Sequence, residues 1–225
     1  MIDVLEGVRP GESPVLDQAF RLRHQVFVEE KGWIGLRRDD RRDIDQFDTP
    51  MTVHHVAMID GEVAGYQRFN ATTGPHLLAD VHAALCDGTP PRGNHIWEWS
   101  RYCVARKFKR PGIYCDVAST LLFAALEWGE PLGITEFVLE FHPIWIRATI
   151  GAKGRAIELG QRAGNKCIYR IAGHIFSDDR APGCSRVARS SGDTVGTHGN
   201  RRNRWYGARE PKSGPDEVSS GASSH

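Results

Sequence analysis

Apolar and polar side chains alternate through Ile96-Trp97-Glu98-Trp99-Ser100-Arg101-Tyr102-Cys103-Val104, the period of a strand with one face against a core. Within it Glu98 and Arg101 stand three apart, interleaved with two tryptophans. Strand interiors are poor in charge, because a buried carboxylate or guanidinium costs several kcal/mol unless paired. The stretch therefore predicts either a cleft that holds a charged ligand or an edge strand with a solvated ion pair.

The rest of the pattern frames that strand. Residues 2–6 form a short first strand. Ser13-Pro14 opens a helix, a capping hydroxyl followed by proline at the first helical position. Leu16, Phe20, Arg23 and Phe27 then recur at helical spacing through Val28, which sets Arg23 on the apolar stripe, where it needs a partner. Residues 34–50 lack periodicity and read as a long polar loop carrying Asp45 and Asp48. Val53–Ile59 and Glu62–Asn70 are strands joined by Asp60-Gly61, a preferred two-residue hairpin turn, with Arg68 on the second. His54 and His55 read as strand-surface residues, since no carboxylate or cysteine follows at metal-ligand spacing. Thr73-Gly74-Pro75 turns into a short helix from His76 to Leu85. Val117 to Trp128 is a helix with Leu121, Leu122, Ala125 and Trp128 inside, and Glu136–Phe141 is a strand leading into His142-Pro143-Ile144-Trp145.

After Arg147 the pattern fails. Residues 147–225 hold one leucine, against 12 in residues 1–146, and half of all the glycines. Only Cys167–Ile171 and His174–Phe176 read as short strands. Such composition buries too little apolar surface to offset chain entropy. The expected organisation is a catalytic domain over 1–146 and an atypical Arg/Gly/Ser-rich tail over 147–225, either a shifted reading frame or natural disorder, with the sheet ending at Glu136–Phe141.

Composition narrows the class. Residues 1–146 carry 15 basic and 21 acidic side chains, and 147–225 carry 14 and 7. An acidic body with a basic tail argues against a nucleic-acid binder. No run of 18 apolar residues predicts a membrane span. Met1 to Gly7 lacks the basic and apolar segments of a signal peptide. The five cysteines show no metal or redox spacing, as expected of inert thiols in a reducing cytoplasm.

Taken in order, Arg23-x-x-x-Phe27, Trp33 six residues later, Asp45-x-x-Asp48, Gly65-x-x-Arg68 and Glu98-x-Ser100-Arg101-Tyr102 resemble the acyl-homoserine-lactone synthases, the LuxI-type autoinducer synthases. The set spans residues 20–104, and no single motif in it is specific. The resemblance implies an α/β fold, a three-layer αβα sandwich with a mixed central sheet, similar to the GCN5-related N-acetyltransferases. It implies two substrates, S-adenosylmethionine and an acyl thioester of coenzyme A or of acyl carrier protein, and no cofactor or metal. The methionine amine attacks the thioester carbonyl. The methionine carboxylate then attacks its own γ-carbon, expelling methylthioadenosine. The sequence departs from the family at His82, where a Phe is usual, and in the tail, where an Arg-Phe-x-x-x-Gly-Phe helix and two apolar strands are expected.

The resemblance also implies roles. Trp33 and Phe27 would cover the sulfonium and adenine, each cation–π contact contributing on the order of 1 kcal/mol. Asp45 would hold the ammonium, and Asp48 would brace Arg23, Arg68 or Arg101 in a bidentate pair, the braced arginine binding the methionine carboxylate. Glu98, Ser100 and Arg101 form the expected catalytic group. A carboxylate among several guanidiniums is a weak base, so Glu98 is expected to act through a water or to organise Arg101. Trp99, Tyr102 and Trp145 would line the acyl pocket. The two tryptophans around Glu98 resemble the branch that uses coenzyme A thioesters of branched or aromatic acids. The run Arg106-Lys107-Phe108-Lys109-Arg110 suits a solvated loop or the docking of an acidic acyl carrier. Competing readings are an N-acetyltransferase, although Arg106 to Ile113 has one glycine where a pyrophosphate turn needs more, and an inactive truncated homologue.

Overall fold

The computed structural model describes residues 1–109, 116–141, 156–160, 167–172 and 187–191. In these, β1 (Ile2–Glu6), β2 (Val53–Ile59), β3 (Glu62–Ala71), β4 (Ile96–Val104), β5 (Glu136–Phe141), β6 (Ala156–Glu158), β7 (Cys167–Ala172) and β8 (Val187–Ser191) build one sheet in the order β6-β7-β5-β4-β3-β2-β1-β8. β4–β5 and β1–β8 are parallel and the other pairs antiparallel, so the sheet is mixed.

Helices α1 (Pro14–Arg23) and α3 (Asp116–Gly129) pack on opposite faces of the sheet, with the short α2 (Leu77–Asp80) before β4. Leu16, Phe20 and Phe27 join Val56, Tyr66 and Cys103 on one face. Leu121, Leu122, Ala125 and Trp128 join Phe69, Trp99 and Phe137 on the other. Each fully buried side chain of this size contributes roughly 1.5–3 kcal/mol. The architecture is the α/β sandwich expected. Gly65 permits the α3 contact, since a Cβ there would lie 2.8 Å from Val117 Cγ1 and 2.9 Å from Leu121 Cδ1.

Ser13 caps α1 by accepting from Leu16 N at 3.3 Å, as its hydroxyl before Pro14 predicts. The helical stripe continues to Phe27, but the winding widens from α to π over His24–Glu30. Asp60 and Gly61 both have positive φ, 49° and 81°, the requirement of the predicted hairpin turn.

Two expectations fail here. The sheet does not end at β5: Cys167–Ala172 pairs along its whole length with Glu136–Phe141, and β8 extends the far edge beside β1. A strand edge satisfies its backbone with any extended segment, so a leucine-poor stretch can still supply β7. His54 and His55 are buried, not on the surface, because β2 is an interior strand with a helix on each face. His174–Phe176, Arg110 and Trp145 lie outside the described residues.

Candidate active site

Three guanidiniums and three carboxylates interlock where α1, the 34–52 loop, β3 and β4 meet. Arg23 comes from the last turn of α1 and is fully buried. It donates Nη1 and Nη2 to both oxygens of Asp48, at 2.7 and 3.0 Å, and Nε to Asp43 at 3.1 Å. Arg68 on β3 donates Nη1 to Asp45 at 2.6 Å and to Asp48 at 3.0 Å, and Nε to Ser100 Oγ at 3.0 Å. Arg101 on β4 spans Asp43 and Asp45, both at 2.8 Å. Three positive charges meet three negative ones, which makes tolerable the burial of all but the half-buried Asp45.

Electrostatics follow from that pairing. Burial alone would raise Asp48, yet the Arg23 and Arg68 guanidiniums hold it well below the usual carboxylate range. Burial also opposes ionisation of Asp43, and Arg23 and Arg101 overcome it. His54, bonded through Nδ1 to Tyr66 Oη at 2.7 Å, is pushed down to about 3 by burial, with Arg23 and Arg68 adding to the effect.

Arg101 reaches this network through a β-bulge. On β3–β4, Tyr66 pairs with Cys103 and Arg68 with Ser100, so one extra residue of β4 is accommodated, and Arg101 takes a left-handed φ of 57°. Strict alternation would send Arg101 to the side of Trp97 and Trp99. The bulge instead sets Ser100 and Arg101 together on the lining of one cleft with Glu98. Tyr102 goes to the opposite face, donating to Ala118 O at 2.9 Å and standing edge-on to Trp99.

The cleft itself has a volume of about 430 Å³. β4 and β5 pair only from Ile96–Glu136 to Glu98–Val138 among the described residues, and beyond that rung the two strands part. Trp33, Phe47, Asp45 and Arg101 line one end; Leu77, Leu78, Val81, His82, Trp99, Leu139 and Glu140 line the other. Glu98 sits between, but its partners are not guanidiniums. Its oxygens accept from the amides of Leu77 at 3.1 Å and Leu78 at 2.6 Å, fixing the start of α2.

The aromatic pair is asymmetric. Trp33 lines the cleft, whereas Phe27 is buried and stacks against Trp33 at 4.9 Å between centroids. Lys31 Nζ lies 5.1 Å from the Phe27 ring and 5.7 Å from that of Trp33, so the pair already holds a cation. In the basic run, Lys107 pairs with Glu62 and Lys109 with Glu30, the latter at 3.2 Å, and both lysines stay exposed.

Thus Arg23, Asp45, Asp48, Arg68, Ser100 and Arg101 converge as expected, with Glu98, Trp33 and Trp99 lining the same cleft. Sequence reasoning missed Asp43 and Tyr66. Asp43 stands in the run Asp39-Asp40-Arg41-Arg42-Asp43, whose composition is that of a solvated loop. Counting charges would have found it: three buried arginines require a third carboxylate.

Residues 11–181 match the family model of autoinducer synthases. The chain is 46% identical over 109 residues to an isovaleryl-homoserine lactone synthase of Bradyrhizobium diazoefficiens, covering 47% of this chain and 49% of that one. It is 39% identical over 108 residues to an acyl-homoserine-lactone synthase of Pseudomonas aeruginosa, covering 47% and 54%. Each match thus spans about half the length of the curated relative. A solved coenzyme A-dependent acyl-homoserine lactone synthase, bound to S-adenosylmethionine and isopentyl-coenzyme A, superimposes with a TM-score of 0.72 at 30% identity, over 84% of this chain and 93% of that one. A putative N-acetyltransferase from Lactobacillus plantarum, 19% identical with a TM-score of 0.51, shares the fold.

Proposed function

Because the chain belongs to the autoinducer synthase family, we propose that it transfers an acyl group from a thioester to the amine of S-adenosylmethionine and closes the product to an acyl-homoserine lactone. The observation that carries this reading is the neutral cluster of Arg23, Arg68, Arg101, Asp43, Asp45 and Asp48, of which Asp45 and Arg101 form the charged end of a cleft also lined by Leu77, Leu78, Val81, Trp99 and Leu139. S-adenosylmethionine brings a sulfonium, an ammonium and a carboxylate, and that end offers both signs of charge beside Trp33. Arg68 Nη2 is buried without a partner among the described residues, a donor suited to the methionine carboxylate. Asp45, half-buried on the cleft wall, suits the ammonium.

The apolar end suits the acyl chain. Trp99 and Leu139 face it, and the tryptophan-flanked Glu98 together with the isovaleryl relative supports a branched or aromatic acyl group carried by coenzyme A. Tyr102 supports this pocket from behind, standing edge-on to Trp99. Arg106, Lys107, Lys109 and Arg110 would meet the phosphates or acidic helix of the acyl donor, Lys107 and Lys109 leaving Glu62 and Glu30 to do so. Glu98 fixes α2 and holds a negative charge beside the cationic substrate. Lactonisation is intramolecular, so orientation by the arginine network supplies the main rate advantage. No helix among the described residues is long and apolar enough to cross a membrane. Cys86 and Cys103 are free thiols, and burial pushes Cys103 up to about 12, which suits inert cysteines in a reducing cytoplasm.

A donor series tests the reading. Isovaleryl-coenzyme A should support turnover with S-adenosylmethionine better than straight-chain acyl thioesters carried by acyl carrier protein. A clear preference for the carrier-bound straight chains would reverse the assignment of donor.

A further inference from the structure

Glu98 is tied to the start of α2, one oxygen accepting from the Leu77 amide and the other from the Leu78 amide. Two residues past α2, His82 enters the same cleft, and its Nδ1 meets Oε2 of Glu140 on β5. The His82 side chain is 28% exposed and that of Glu140 18%. A carboxylate against Nδ1 makes that nitrogen the donor, so the neutral ring presents Nε2 as an acceptor. No described residue bonds Nε2. A base oriented by a third group and facing a cleft is the arrangement that general-base catalysis requires.

We infer that His82, held by Glu140, is the base of the acylation step, with Nε2 taking a proton from the substrate amine. The inference rests on the synthase reading above. The amine arrives as an ammonium, an α-amino group titrating near pH 8. One proton goes to solvent. The nitrogen lone pair then forms the C–N bond at the thioester carbonyl, and a second proton passes from nitrogen to His82 Nε2. As the adduct collapses the C–S bond breaks, and His82 returns that proton to the thiolate sulfur. One amide, one thiol and one released proton result, with no oxidant or reductant.

The charged groups around His82 are few enough to interpret a pH profile. Glu140 faces it from β5 and Glu98 from β4. Asp80, which closes α2, lies 3.9 Å from Arg92, and Asp45 and Arg101 stand at the far end of the cleft.

The test is steady-state kinetics with S-adenosylmethionine and isovaleryl-coenzyme A across pH about 5.5 to 9. His82→Gln should lower kcat by roughly 10²–10⁴-fold, with KM for S-adenosylmethionine kept within about threefold. His82→Gly should recover rate with added imidazole. Glu140→Gln should lose less kcat than His82→Gln, again with KM kept, because it removes only the carboxylate that orients the ring. Wild-type kcat and an unchanged pH profile in His82→Gln would overturn the inference, as would a His82→Gly protein that imidazole does not rescue. A wild-type chain that makes no lactone would instead sink the synthase reading, and this step with it.

Discussion

The Arg23 guanidinium holds both carboxylate oxygens of Asp48, at 2.7 and 3.0 Å, across 25 positions of sequence. Asp48 also receives Arg68 at 3.0 Å and the Asp45 amide at 2.8 Å, which makes it the keystone of the arginine cluster. α1, the loop and β3 are joined through this one carboxylate.

Asp48→Asn should therefore destabilise the protein by about 3–5 kcal/mol, the usual cost of breaking a buried ion pair from one side. Urea denaturation followed by tryptophan fluorescence reads it directly. A change below about 1 kcal/mol would place the cluster's value elsewhere.

Arg101→Lys keeps the charge but not the fork that spans Asp43 and Asp45. Losing one charge-assisted hydrogen bond, about 1.5–3 kcal/mol, predicts a fall in kcat/KM of roughly 10–100-fold. Kinetics at wild-type levels would show that the bulge serves packing alone.

Stability should depend on pH through His54. Its folded value is pushed down to about 3 against about 6.5 in the unfolded chain, so below pH 6.5 the unfolded state binds more protons. Stability is then fully present above about pH 6.5 and falls as the pH drops toward 3, by up to about 1.4 kcal/mol per pH unit. The lowered Asp43 and Asp48 add their own loss as the pH falls below about 5, where the unfolded carboxylates begin to bind protons. His54→Gln should flatten the melting temperature between pH about 5 and 6.5. An equal slope in wild type and variant would exclude His54 as the source.

We propose that the stretch after residue 146 divides at the sheet. A chain ending at residue 146 loses the partner of β5, and an uncovered strand edge invites pairing with other chains. It should aggregate or melt well below the full chain, whereas limited proteolysis of the full chain should spare residues 167–172. Cleavage between β5 and β7 without loss of cooperative melting would contradict this.

The strand carrying Glu98 was legible because alternation survives in its composition, and the helices because their stripes and the Ser13-Pro14 start are local signals. The bulge was not, since one extra residue on β4 leaves no mark until β3 is laid beside it. Nor was the burial of His54 and His55: an interior strand with helices on both faces has no exposed side for a polar residue to report. The π-turns after Arg23 escaped for a related reason, because the apolar stripe runs on to Phe27 while the winding changes beneath it. Glu98 was read among guanidiniums by residue type, yet the three aspartates claim all three arginines and leave Glu98 to the amides of α2. Cys167–Ile171 was legible as a strand even within a stretch whose overall composition argued against order.

The central claim is that this cleft couples acylation of S-adenosylmethionine to lactone closure. Incubating the purified chain with S-adenosylmethionine and isovaleryl-coenzyme A, and resolving the products by chromatography and mass, tests it most directly. The account predicts one methylthioadenosine for each free coenzyme A and each acyl-homoserine lactone formed. Release of coenzyme A without methylthioadenosine would show an acyltransferase that closes no lactone, and release of neither would contradict the account outright.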